Sequence, residues 1–209
     1  MKTRHTAVSQ SRAAHAPGFS RGMTLIELMV TLAVLVIGLV IAVPSFTDFV
    51  KNTRLTATAT DVQAALNLAR SEAVTRRQAV SVCMSTNGTA CDGTAWKDGM
   101  LVFTNIKRGS DPGQFSNTNQ ALKYIQVTDP GLTISSVTPP GASTGFGAAK
   151  YVLFKSSGMV DNAQGGELLV CDNRSGTYGQ RILVSPVGRT EMTRNCGCPA
   201  TNTDTCPAP

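Results

Sequence analysis

The sequence predicts an α+β protein: a long N-terminal α-helix, its first half transmembrane, packed on a β-rich antiparallel head domain. Three observations carry that expectation. An almost purely apolar run extends from Leu28 to Val43. Behind it, Val62, Ala65, Leu66, Ala69 and Ala73 recur at intervals that place them on one face of a helix. After Gln78 the pattern changes to short segments rich in β-forming residues, separated by turn signals.

Composition narrows the function before any motif is read. The 209 residues suit one globular domain with an appendage. Charged residues make up 15%, below the roughly 25% of ordinary soluble proteins. The formal net charge is +6, yet Lys2, Arg4, Arg12 and Arg21 all lie in the first 22 residues. Without them 15 basic groups face 13 acidic ones, leaving +2. A chain that binds nucleic acid through a large positive charge is thereby excluded. The only histidines, His5 and His15, lie in the same stretch, so a form starting at Met23 would contain none. Histidine triads, histidine acid–base catalysis and helical histidine zinc sites go with them. No phosphate-binding glycine motif is present either; Gly145-Phe146-Gly147-Ala148-Ala149-Lys150 has lysine where the last glycine belongs. The expectation is a protein without catalytic residues, metal or cofactor.

The first element is the apolar run. Extended back to Met23, it gives a segment 23–43 long enough to cross about 30 Å of hydrocarbon. The basic residues before it predict a cytoplasmic N-terminus and a head on the far side of the inner membrane. An ordinary secretory signal is the rival, but the run is long for one and no small-x-small cleavage site follows Val43 directly. Glu27 interrupts the pattern. A carboxylate inside an apolar span is penalised unless it finds a partner.

The surrounding residues, Gly22-Met23-Thr24-Leu25-Ile26-Glu27-Leu28-Met29, resemble the leader and N-terminal helix of type IV prepilins and type II secretion pseudopilins. The resemblance implies that 1–22 is a leader peptide, cut by prepilin peptidase between Gly22 and Met23, with N-methylation of Met23. It also implies that Glu27 attracts the α-amino group of a neighbouring subunit during assembly. Met23 stands where the family usually has phenylalanine. Gly18-Phe19 is a decoy, because the fifth residue counted from Phe19 is Met23 rather than an acid.

Pro44 predicts a kink or local melting, since proline removes one helical hydrogen bond. Residues 44–78 then form an amphipathic continuation into the head. Threonines between Thr53 and Thr60 weaken helix there, and Thr60-x-x-Gln63 reads as a restart by a capping box. The head, 79–194, has seven candidate strands: Ala79–Met84, Met100–Asn105, Ala121–Thr128, Leu132–Val137, Tyr151–Lys155, Glu167–Cys171 and Arg181–Ser185. Turn signals separate them, among them Asn87-Gly88, Asp98-Gly99, Asp111-Pro112-Gly113 and Pro139-Pro140-Gly141. Trp96 and Phe103 are expected in the core.

Several head segments resemble the GspH/FimT family of minor pseudopilins and minor pilins. They are Trp96-x-x-Gly99-Met100-Leu101-Val102-Phe103, Phe154-x-x-x-Gly158, the strand around Cys171, and Arg181 to Arg189. With the N-terminus, the likeness covers most of the chain from Gly22 to about Arg194. It implies a pilin-like, non-enzymatic subunit of a type IV pilus, with a type II secretion pseudopilin as the alternative. Its partners would be other pilins or pseudopilins, prepilin peptidase and the inner membrane.

Six cysteines, Cys83, Cys91, Cys171, Cys196, Cys198 and Cys206, lie beyond the span, on the side expected to be the oxidising periplasm. Hairpin spacing favours Cys83–Cys91; Cys171 is expected to join Cys196 or Cys198, leaving the other to Cys206. The Cys/Pro/Thr-rich tail, 195–209, would be disordered without such bonds. Some members of the resembling family bind DNA through Gly-Arg-x-Arg. Here Gly188-Arg189-Thr190-Glu191 has glutamate at the second arginine, and Arg174, Arg181 and Arg194 are the other candidate cations. Phosphate binding needs several cations acting together, so DNA is the minor alternative.

Overall fold

The computed structural model describes residues 22–105, 114–116, 118–127, 129–137, 150–161, 165–174 and 176–198. Residues 1–21 of the leader, the turns at 111–113 and 139–141, the glycine run 145–149 and Cys206 lie outside the described residues. The chain divides into two compact units, Met1–Ser45 and Phe46–Pro209. The predicted helix is present as α1, Leu25–Arg76, and eight strands follow it among the described residues.

In the first unit the helix has no interior to face. Every large apolar side chain from Leu25 to Val43 that is described is exposed, from 49% at Leu28 to 78% at Leu25. By length and composition this part of α1 can cross a membrane. α1 continues through Pro44 without a break, so of the kink or local melting expected there the melting does not occur. Proline withdraws one donor, and the hydrogen bonds on either side hold the helix.

In the second unit α1 has a buried face. Leu55, Ala59, Val62, Leu66, Ala69 and Ala73 are spaced alternately by four and three residues, and each is at most 1% exposed. The restart expected at Thr60 is absent. Thr60 Oγ1 donates to Thr56 O at 2.8 Å and Thr53 Oγ1 to Phe49 O at 2.9 Å, so these threonines satisfy themselves within a continuing helix. The helix ends in a Schellman motif. Gln78 N–H donates to Ala73 O and Arg77 N–H to Val74 O, with Arg77 at φ 53°.

The strands form two four-stranded antiparallel sheets. One contains β1 (Ala79–Met84), β2 (Met100–Asn105), β3 (Ala121–Ile125) and β5 (Tyr151–Phe154), in the order β3-β2-β1-β5. The other contains β4 (Thr133–Val137), β6 (Gly166–Cys171), β7 (Gly176–Val184) and β8 (Thr190–Cys198), in the order β4-β6-β7-β8. The inner faces of both sheets share one core with α1, which includes Val80, Val82, Phe154, Leu168, Ile182 and Trp96. Each outer face carries a smaller cluster. Phe103, Leu101 and Cys83 cover the first sheet. Leu169, Cys171, Cys196 and Cys198 cover the second.

The two strands expected at Ala79–Met84 and Met100–Asn105 match β1 and β2 to the residue. β7 begins at Gly176, five residues before the expected Arg181, and β8 had no counterpart in the sequence reading. The domain boundary expected after Arg194 therefore falls inside β8. The reason is physical: Gly176 to Gly179 and the segment from Thr190 to Cys198 lack apolar alternation, and cross-strand pairing imposes their extended form.

Candidate functional site

The candidate site at the N-terminus is built from the first residues of α1. Gly22, Met23 and Thr24 precede the helix. Thr24 is its N-cap: Thr24 Oγ1 accepts from Glu27 N–H at 3.3 Å, and Thr24 O accepts from Leu28 N–H at 3.1 Å. The sequence reading missed this cap, although Thr24-x-x-Glu27 has the capping-box pattern. The cap stops the helix two residues after Gly22, so the Gly22–Met23 bond lies in non-helical backbone. Glu27 is the only charged side chain between Gly22 and Asp48. It sits in the first turn, where the positive end of the helix dipole favours a carboxylate. Glu27 is exposed, and no ion pair forms with it among the described residues.

In the head, the candidate cysteines are bonded. Cys83 is joined to Cys91, and Cys171 to Cys198. Cys196 is also disulfide-bonded. The two described bonds lie one on each outer face, over the satellite clusters. The turn closed by Cys83–Cys91 is held further by Asp92, which accepts from Thr86 N–H and Thr86 Oγ1. Those two bonds hold its carboxyl below the ordinary value.

The four candidate arginines do not form one cluster. Arg174 follows β6; Arg189 lies in the turn after β7. The nine residues of β7 separate them by roughly 25–30 Å at about 3.3 Å per residue. Arg189 pairs with Glu191 at 3.1 Å, and Arg181 faces Glu167 at 3.7 Å. Arg174 is the most heavily bonded. Its Nε donates to Asp172 Oδ2 at 2.8 Å and its terminal nitrogens reach Asn52 at 2.7 Å and Asp48 at 3.4 Å. Its guanidinium stands 4.2 Å from the centre of the Tyr178 ring. It therefore pins α1 to the end of the second sheet. Burial pushes the Asp172 carboxyl up, but the bonds from Arg174 outweigh it and the net shift is downward. Arg194, opposite Gln180 in the β7–β8 ladder, is exposed and has no carboxylate partner among the described residues.

Residues 58–188 match the family described as Type II transport protein GspH. The chain belongs to that family. Residues 19–43 of this GspH-family chain also match the prokaryotic N-terminal methylation motif. Among solved structures, the type IV minor pilin FimU of Pseudomonas aeruginosa is 20% identical, with a TM-score of 0.52. That comparison covers 70% of this chain and 93% of the other, and it shows the shared fold. The minor pseudopilin EpsH of Vibrio cholerae is 12% identical, with a TM-score of 0.43, covering 68% and 96%. No curated protein matches the chain. The chain thus combines a type II transport protein GspH head, a prokaryotic N-terminal methylation motif and the fold seen in a type IV minor pilin. The methylation motif and an apolar helix long enough to cross a membrane are the features of a membrane-anchored subunit.

Proposed function

We propose that the protein is a minor pilin of type IV pilus assembly. Prepilin peptidase removes residues 1–22 at the Gly22–Met23 bond, and Met23 is then N-methylated. Segment 23–43 holds the subunit in the inner membrane, with the N-terminus cytoplasmic and the head periplasmic. Glu27 then draws the α-amino group of a neighbouring pilin, and helix bundling carries the subunit into the filament. The observation that carries this reading is an exposed apolar helix whose one carboxylate has no partner within the described chain. In a low-dielectric surrounding such a charge favours a cationic neighbour strongly.

The choice of the pilus is supported by the disulfides on the outer faces of both sheets, which suit a head exposed outside the cell. A second reading, a minor pseudopilin of type II secretion, is favoured by the family description itself. The pairing and separation of the arginines lend no support to a DNA receptor. Deleting the gene, shearing the cells and quantifying surface major pilin tests the proposal. Lost pilin, restored by complementation, is the expected result; normal pilin with failed protein secretion would transfer the subunit to the second reading.

A further inference from the structure

A second surface of the head has the marks of a built site, independent of which filament the subunit enters. β7 opens with irregularities between Gly176 and Gly179 and between Gly179 and Gln180, so Thr177 and Tyr178 leave the ladder with β8. Bulges of this kind re-aim side chains. Tyr178 is turned outward and is 45% exposed. Arg174 covers part of the ring and is itself held by Asp172 and Asn52, so the ring is fixed by a bonded cation.

Across the ladder, Asn195 is held at φ 62°, a backbone conformation that asparagine tolerates at a cost. Beside it Arg194 presents a cation that no carboxylate among the described residues pairs with. With Asn52 and Thr56 of α1, these residues line a cavity of about 380 Å³. Gln180 forms part of its wall. Its Nε2 donates to Thr56 Oγ1 at 2.7 Å, while its Oε1 is buried with no hydrogen-bond partner among the described residues. Such an orphaned acceptor calls for a donor.

The ligand chemistry follows from the lining. One fixed aromatic ring suits a flat body with an apolar face, and the amides and hydroxyls around it suit a ligand bearing several hydroxyl groups. The unpaired guanidinium suits a single carboxylate. A nucleic-acid strand would require successive stacking rings and several free cations, which this cavity lacks. An aliphatic ligand would find little apolar wall, since Leu55 is 1% exposed. We propose that the cavity between α1 and the β7–β8 ribbon binds an acidic saccharide, with Tyr178 stacking on the sugar ring and Arg194 pairing with its carboxylate.

The test is calorimetric titration of the full chain, held in a detergent without sugar groups. Trigalacturonate and sialyllactose serve as acidic probes, galactotriose as the neutral control and a single-stranded oligonucleotide as the competing class. At least one acidic probe should bind. Arg194→Gln should weaken that binding about tenfold or more, the loss expected for a charge-assisted hydrogen bond. Tyr178→Phe should retain it and Tyr178→Ala abolish it. Arg189→Gln, in the distant turn, should change nothing. All three altered side chains are exposed, and unchanged thermal unfolding of the variants confirms that the fold is kept. Failure of both acidic probes, equal binding of the neutral sugar, indifference to both Arg194→Gln and Tyr178→Ala, or preferential binding of the oligonucleotide would each overturn the assignment. None of these results bears on filament assembly, so the two proposals fail separately.

Discussion

Gly179 lies beneath the sulfur of Cys198: a Cβ built on this glycine would stand 2.7 Å from Cys198 Sγ and 2.9 Å from Cys196 O. The bond from Cys198 runs to Cys171 on β6, although β7 separates β6 from β8 in the sheet. Two strand spacings would set such residues about 9.5 Å apart. Their Cα atoms are 5.9 Å apart, so the β7–β8 ribbon curls over the outer face of the sheet where β7 is bulged. Gly179→Ala should cost about 1–3 kcal/mol, as overpacking of a close contact does. Thermal unfolding with and without reductant checks this; the loss should be largest in the oxidised protein. Equal melting of variant and parent under oxidising conditions would contradict the crossing geometry.

Arg174 and Asp172 form the pin between α1 and the second sheet, and Arg174→Ala should cost about 1.5–3 kcal/mol at neutral pH by urea unfolding. The sign of the pH dependence follows from Asp172. Its folded value is depressed, so its contribution is fully present above the unfolded value of about 4 and is lost as pH falls through the folded one. Asp92 and Asp98, both lowered by backbone hydrogen bonds, act in the same direction. Acid should therefore unfold the head progressively below about pH 4. Asp172→Asn should flatten that part of the stability profile, and an unchanged slope would refute the role of the pair.

Thr24 caps α1, and Thr24→Val should fray its first turn by about 1 kcal/mol, whereas Thr24→Ser should not. Hydrogen exchange at the amides of Glu27 and Leu28, in micelles, reads the difference. Exchange as slow in Thr24→Val as in the parent would show that the cap is not what starts the helix.

Glu27→Ala should still insert in the membrane but enter filaments poorly, because the apolar helix remains while its one carboxylate is gone. Membrane fractionation separates insertion from assembly. Unchanged incorporation would defeat the charge-pairing step.

Much of this was legible in the sequence, and the reasons are specific. The buried face of α1 could be read because Val62, Leu66 and Ala69 repeat at helical intervals, and β1 and β2 because each is bounded by clear breaks. Glu27 stood out because a carboxylate inside an apolar run is costly, and the motif around it outweighs a residue merely snorkelling to the headgroups. β8 was not legible: Thr190-Glu191-Met192-Thr193-Arg194-Asn195 has little β character, and its strand form comes from pairing with β7 and from the bonds of Cys196 and Cys198. The threonines near Thr56 misled for the opposite reason, because local hydrogen bonds let them remain in the helix. The cavity beside Tyr178 could not be foreseen, since it brings residues of α1 to residues of β7 and β8 more than a hundred positions further along the chain.

The most direct test of the central claim is intact-mass analysis of this chain recovered from sheared filaments. A chain beginning at Met23, carrying one added methyl group and present in the filament fraction, is the predicted result. A chain that retains residues 1–22 and remains wholly in the membrane would contradict the account.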